Sequence, residues 1–205
     1  MRALPAGAEG LLVELDSAAD VTALHAELLR RRDAGELGAV RDIVPAARTV
    51  LLDGVREPRA LAARIADWEV PPLAPTRGPL VTVPVRYDGP DLAEVARLWG
   101  VAEREVPAIV GGTVFRVAFC GFAPGFGYLT GLPERFHLPR RATPRTAVPA
   151  GSVALAGEYA GVYPRSSPGG WQLIGSTDAV LWDPGREPAA LLAPGVRVRF
   201  TEVSG

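Results

Sequence analysis

The chain has no lysine and no asparagine, a single cysteine and two histidines. Without lysine there is no Walker phosphate loop, no Schiff base and no Ser-x-x-Lys nucleophile. Cys120 alone can form neither an internal disulfide nor a cysteine-built zinc site, and His25 and His137 are too few for a histidine cluster, so no metal is expected. Apolar runs fall short of the roughly 20 residues that span a bilayer. Met1 to Gly10 lack the basic-then-apolar order of a signal peptide, so the expected location is cytoplasmic, with no membrane partner. A formal net charge of -1 argues against nucleic acid as a partner. There is no Gly-x-Ser-x-Gly elbow and no Ser/His/Asp set, which excludes a self-contained covalent hydrolase and leaves catalytic residues unassigned.

What is present is 205 residues, 48% of them hydrophobic, enough for two small domains. Leu11 to Leu15 reads as a buried strand. Val21, Leu24, Leu28 and Leu29 follow on one helical stripe, capped by Ser17 or Asp20. A strand at Thr49 to Leu52 and a helix opening at Pro58, with Leu61, Ile65 and Trp68 on one face, complete a β-α-β-α layer. Pro71, Pro72, Pro75, Gly78 and Pro79 then break regular structure and mark a boundary between residues 1–78 and 79–205.

The second region opens with a strand at Leu80 to Val85, whose Pro84 favours a sheet edge. Asp91 and Glu94 resemble a capping box ahead of the stripe Leu92, Val95, Ala96 and Trp99. Short runs at Val114 to Phe119, Ser152 to Leu155, Trp171 to Ile174, Val180 to Trp182 and Val196 to Val203, separated by Gly/Pro turns, are the pattern of a barrel or sandwich. The fold class expected is therefore α+β.

Three segments carry candidate chemistry. Gly121 to Leu129 reads as an ordered loop in which glycines such as Gly125 expose backbone N–H groups and Phe122, Phe126 and Tyr128 wall a pocket; a tight barrel corner with core aromatics is the alternative. Arg140, Arg141 and Arg145, stiffened by prolines and followed by Val148 to Ser152, can hold a carboxylate or phosphate bidentately, or form a solvated basic loop. Tyr163 to Thr177 places Gly169 and Gly170 before Trp171, either as an anion nest or as a hairpin turn. The candidate binding set is thus Arg140, Arg141, Arg145, Gly125, Phe126, Tyr128, Ser152, Gly169, Gly170 and Trp171, for a small anionic or amide-bearing molecule. His25 and Cys120 read as structural residues.

Together, Gly121-Phe122-x-Pro124-Gly125-Phe126-x-Tyr128-Leu129, Pro139-Arg140-Arg141-x-x-Pro144-Arg145, Val148-Pro149-Ala150-Gly151-Ser152-Val153 and Tyr163-Pro164-x-x-x-Pro168-Gly169-Gly170-Trp171-x-x-Ile174-Gly175 resemble the allophanate hydrolase subunit 1 family, which includes the B-type subunits of 5-oxoprolinase, or KipI-like proteins. The resemblance implies a ferredoxin-like first domain and a cyclophilin-like barrel. It implies one component of an enzyme that uses ATP to open 5-oxo-L-proline to L-glutamate. The partners would be an allophanate hydrolase subunit 2-like protein (the C-type subunit of 5-oxoprolinase) and a LamB/YcsF-like protein (its A-type subunit), and the isolated chain would be inactive. Two other roles come with it: inhibition of a sensor histidine kinase, and an accessory role of urea or allophanate amidolyase type. The family often writes a histidine and a tyrosine where this chain has Val110 and Phe115.

Overall fold

Burial with a period of two decides the first sheet. Leu11 and Val13 in one strand and Val50 and Leu52 in its neighbour are buried, while the residues between them are half-exposed. The computed structural model describes residues 1–71 and 78–203 and divides into two units, Met1–Thr76 and Arg77–Gly205. Most of the proline-rich stretch proposed as the boundary, residues 72–77, lies outside the described residues.

The first unit runs β1 (Arg2–Pro5), β2 (Gly10–Glu14), α1 (Ala18–Asp33), β3 (Asp42–Pro45), β4 (Thr49–Asp53) and α2 (Pro58–Ala66). Its antiparallel sheet has the order β1-β2-β4-β3. The first helix starts as anticipated, with Ser17 Oγ accepting from Asp20 N at 3.1 Å. Val21, Leu24 and Leu28 of α1 and Leu61 and Ile65 of α2 join Leu11, Val13, Val50 and Leu52 in one core, so both helices cover the same face. The β-α-β-α expectation missed β1 and β3. Both are four-residue edge strands ending in proline, too short for alternation to register. Strand order and directions match a ferredoxin-like layer in which the outer strand beside β2 comes from the N-terminus instead of following α2.

The second unit contains β5 (Leu80–Val85), α3 (Leu92–Trp99), α4 (Val106–Gly112), β6 (Phe115–Cys120), β7 (Gly127–Thr130), β8 (Arg145–Val148), β9 (Ser152–Ala156), β10 (Tyr159–Val162), β11 (Ser167–Gly169), β12 (Gln172–Ser176) and β13 (Arg197–Glu202). Seven strands form one sheet, β12-β9-β10-β7-β6-β13-β5. Its two ends meet where Arg86 N donates to Ser176 O at 2.9 Å and Ser176 N to Arg86 O at 2.8 Å, which nearly closes a barrel. The α+β class with a barrel in the second region therefore holds. Pro84 sits on β5, an end of the strand order, as its missing N–H demands.

Val83, Val85, Phe115, Val117, Leu129, Leu155, Val162, Ile174, Val198 and Phe200 fill the interior, with Leu92, Val95, Val106 and Val110 of α3 and α4 packed among them. Val110 and Phe115, the two departures from the family's usual residues, are both fully buried in this core. Several sequence expectations need correction. Val180 to Trp182 makes only a single bridge, Trp182 to Ala190. The end of the expected 121–129 loop is already strand β7, and α4, β8, β10 and β11 were not anticipated, because proline, arginine and glycine mask their alternation.

One strand decides where a site can be. All five residues of β9 are buried: Val153 and Leu155 face the barrel interior, whereas Ala154 and Ala156 belong to a second apolar cluster with Phe126, Val148, Tyr163, Trp171 and Leu173. The barrel wall is thus covered from outside as well, partly by the β8–β11 ribbon.

Candidate binding site

The hairpin between β6 and β7 is built from two consecutive tight turns. Ala123 N donates to Gly121 O at 2.7 Å around Phe122, whose φ is +67°, a γ-turn of the rare positive-φ kind. Phe126 N then donates to Ala123 O at 2.9 Å across Pro124 and Gly125, and Gly125 has φ +84°. Proline second and a positive-φ glycine third is the chemistry of a type II turn. This pair of turns aims Phe122 and Phe126 toward the outer face of the barrel wall.

There they meet residues from far along the chain. A cavity of about 400 Å³ is lined by Phe122, Phe126 and Tyr128 from the hairpin, Arg140 from the arginine segment, Ala156, Gly157 and Tyr159 around the β9–β10 turn, and Tyr163, Pro168, Gly169 and Trp171. Phe126 is the hub of its floor: Tyr128, Tyr163 and Trp171 pack edge-on against it with ring centroids 5.0, 5.4 and 5.5 Å away. Gly161 of β10 makes this possible, since a Cβ there would sit about 3.0 Å from Phe126 and 3.1 Å from Trp171. Gly169 is required by its neighbour too: a side chain there would collide with the Tyr163 hydroxyl.

The three candidate segments therefore converge, on the outside of the barrel wall. Of the candidate residues, Arg140, Phe126, Tyr128, Gly169 and Trp171 line the cavity. Gly125 instead packs against Leu181 and Trp182, Gly170 lies beside Pro144 and Arg140, and Ser152 is buried in β9. Arg141 and Arg145 have another partner. Asp91, only 4% exposed, accepts from Arg141 Nη1 at 2.7 Å, Arg145 Nη2 at 2.8 Å and Leu173 N at 2.7 Å. Its side chain makes no helix cap, so the capping-box reading of Asp91 and Glu94 fails; Glu94 pairs with Arg97. Burial works to raise the Asp91 pKa, but the hydrogen bonds from Arg145 and Leu173 and the two guanidinium charges outweigh it and hold the carboxyl below its ordinary value.

Two guanidiniums share one carboxylate, so positive charge is left in surplus next to the cavity. The Tyr163 hydroxyl feels both Arg140 and Arg145, though burial still raises its pKa; burial likewise raises Tyr128, and pushes Tyr159 up to about 12. All three phenols are neutral at physiological pH, able to donate hydrogen bonds but not to act as bases. His137 is engaged elsewhere, with Nε2 3.1 Å from Leu132 O, and Cys120 is a core thiol whose pKa burial raises. Sequence reasoning missed the place of Tyr159 in the cavity and the true partners of Asp91: the first looks like an ordinary turn residue, the second like a helix cap.

This arrangement, a cationic, aromatic-walled cavity on a barrel, can be set beside known proteins. Residues 1–192 match the family described as carboxyltransferase domain, subdomain C and D. The B-type subunit of 5-oxoprolinase from Escherichia coli O157:H7 is 45% identical over 160 residues, covering 74% of this chain and 72% of that protein. The chain belongs to the family of 5-oxoprolinase B-type subunits. Among solved structures, TTHA0988 is 36% identical with a TM-score of 0.78 over 96% of this chain, yet the chain spans only 40% of that longer protein. The Kluyveromyces lactis urea carboxylase, 18% identical with a TM-score of 0.75, shares the fold over 98% of this chain and 22% of its own length. Among the described residues no helix is long and apolar enough to cross a membrane.

Proposed function

We propose that the chain is the substrate-holding component of a cytoplasmic, ATP-dependent 5-oxoprolinase, which opens 5-oxo-L-proline to L-glutamate together with a subunit 2-like protein and a LamB/YcsF-like component. The observation that carries this reading is the lone guanidinium of Arg140 at a cavity walled by aromatic rings, in a chain 45% identical to a protein named for that activity. A cyclic amide acid needs both features. Its carboxylate takes a charge-assisted bond from Arg140, which contributes about 1.5–3 kcal/mol where water is excluded. The ring lies against Phe126 and Trp171, and neutral phenols offer hydrogen bonds to the lactam carbonyl.

A lactam resists attack by water, and activation through ATP is the family's expected solution. The cavity of this chain does not fit a magnesium-held triphosphate. Arg140 is the one cation among its lining residues, and that lining offers no carboxylate to share a magnesium ion with the phosphates. No ATP-dependent step is therefore assigned to it. The neutral tyrosines likewise supply no base. Binding and orientation belong to this chain and bond-making to its partners, so the isolated chain is inactive.

Calorimetry with 5-oxo-L-proline and the Arg140→Gln variant tests the reading. The expected result is binding by the wild type that weakens about tenfold or more, equal to roughly 1.4 kcal/mol, in the variant. In the co-expressed complex, ATP-dependent glutamate release should fall in parallel. Undiminished cleavage by Arg140→Gln would refute the assignment.

A further inference from the structure

Phe122 stands out twice. Among the described residues it is the one non-glycine residue with positive φ, at +67°, and it is 58% exposed although its ring lines the cavity. A bulky side chain in the left-handed region is strained by the clash of its Cβ with the backbone. A solvated loop tip has no structural need to sustain that cost, because glycine would form the same γ-turn without it. Nor does packing account for the choice. The ring makes edge contacts with Phe126 at 5.3 Å and Tyr163 at 6.1 Å, yet more than half of the residue remains in water.

The following turn holds the ring where it is. Phe126 N closes the Ala123–Phe126 turn, and Gly121 N donates back to Phe126 O at 3.3 Å, so the loop ends are pinned while the phenyl ring projects over the cavity. Arg140 belongs to the same lining. The strained turn and the cation thus present one apolar and one charged surface to whatever enters.

We propose that Phe122 is a ligand-contact residue that sets specificity. Its ring covers the ring of a small cyclic carboxylate whose charge is met by Arg140, and the strained γ-turn exists to hold it there. This rests on the substrate-holding role proposed above and adds the residue that selects a ring over an open-chain acid. Ligand burial of the exposed phenyl offsets the conformational cost of the turn.

The test compares Phe122→Gly with Phe122→Ala. Both remove the ring, but only glycine relieves the backbone. Binding is followed by saturation-transfer NMR and calorimetry with 5-oxo-L-proline, pyrrole-2-carboxylate, benzoate and open-chain glutarate. Phe122→Gly should melt above Phe122→Ala, the reverse of the usual order of these residues. Both variants should bind cyclic carboxylates about 3- to 10-fold more weakly than the wild type, while any glutarate binding stays unchanged. If wild type ignores 5-oxo-L-proline but binds another cyclic carboxylate in a Phe122-dependent way, the 5-oxoprolinase reading falls and the role of Phe122 stands. The inference is overturned if the glycine variant melts no higher than the alanine variant, if either variant keeps wild-type affinity, or if wild type binds none of the cyclic acids.

Discussion

Each unit of the chain contains a carboxylate hydrogen-bonded by two arginines, and the two triads differ in origin; in the first, the same two arginines also pair with Glu36, at 3.6 and 3.4 Å. In the first, Glu27 accepts from Arg30 at 2.8 Å and from Arg31 at 2.6 Å, three and four residues further along α1. In the second, Asp91 accepts from Arg141 and Arg145, 50 and 54 residues away. The helical triad follows from spacing alone, because side chains three and four apart share a face. Arg31 also lies over the Trp68 ring at 4.0 Å, while Arg30 stays largely in water. The long-range triad exists only because the barrel brings α3, the arginine segment and β12 together. It fastens the segment that carries Arg140. A similar set of charges decorates a helix in one unit and positions a binding site in the other.

Asp91→Asn should break the comparison most sharply. Removing the charge leaves two partly buried guanidiniums without a counter-ion, with an expected loss of about 3 kcal/mol in urea denaturation. Affinity for the cyclic acid should fall as well, since the segment carrying Arg140 loses its anchor; unchanged affinity would separate the triad from the site. Arg145→Met should cost less, about 1–2 kcal/mol by the same measurement, because Asp91 keeps Arg141 and Leu173 N and the arginine side chain is already 23% exposed.

Acid titration sharpens the comparison further. The Asp91 carboxyl is held below its ordinary value of 3.8 and Glu27 is held down to about 2 by its bonds to Arg30 and Arg31. A depressed carboxylate contributes stability that is complete above the unfolded pKa and is lost as pH falls through the folded one. Stability should therefore drop below about pH 4, and Asp91→Asn should flatten that acid limb; an unchanged slope would remove Asp91 from the explanation. The smallest effect on binding belongs to Glu27→Gln. It should lower the denaturation midpoint and flatten the acid limb as well, since Glu27 is held down to about 2 and its partner Arg31 is only 22% exposed, but it should leave ligand affinity untouched; a loss of affinity would count against assigning the site to the second unit alone.

The same contrast governs what could be read from the chain. Ser17 as a helix cap, the stripe Val21-Leu24-Leu28, Pro58 at a helix start and Pro84 at a sheet edge are local matters, each fixed by one residue's geometry or by a period within one element. The short edge strands Arg2–Pro5 and Asp42–Pro45 carried too few alternating positions to register. Strands Arg145–Val148 and Ser167–Gly169 lie in segments that read as a basic loop and as a nest or hairpin turn, because their pairing depends on each other and not on their own composition. At the site, the sequence named the aromatic turn, Arg140 and the Pro-Gly-Gly-Trp segment, since glycine, proline and arginine advertise turns and anion contacts wherever they occur.

Composition and spacing determined on their own that the chain is α+β, is poor in nucleophiles and metal ligands, and carries three turn-rich segments suited to a small anion. Only the folded barrel decided that these segments meet on its outer face, that Arg140 lines the cavity while Arg141 and Arg145 turn to Asp91, and that Phe122 is held with positive φ over the opening. Local chemistry is written in neighbouring residues. The partner of a buried charge 50 residues away is chosen by strand order and register, which no short stretch of sequence contains.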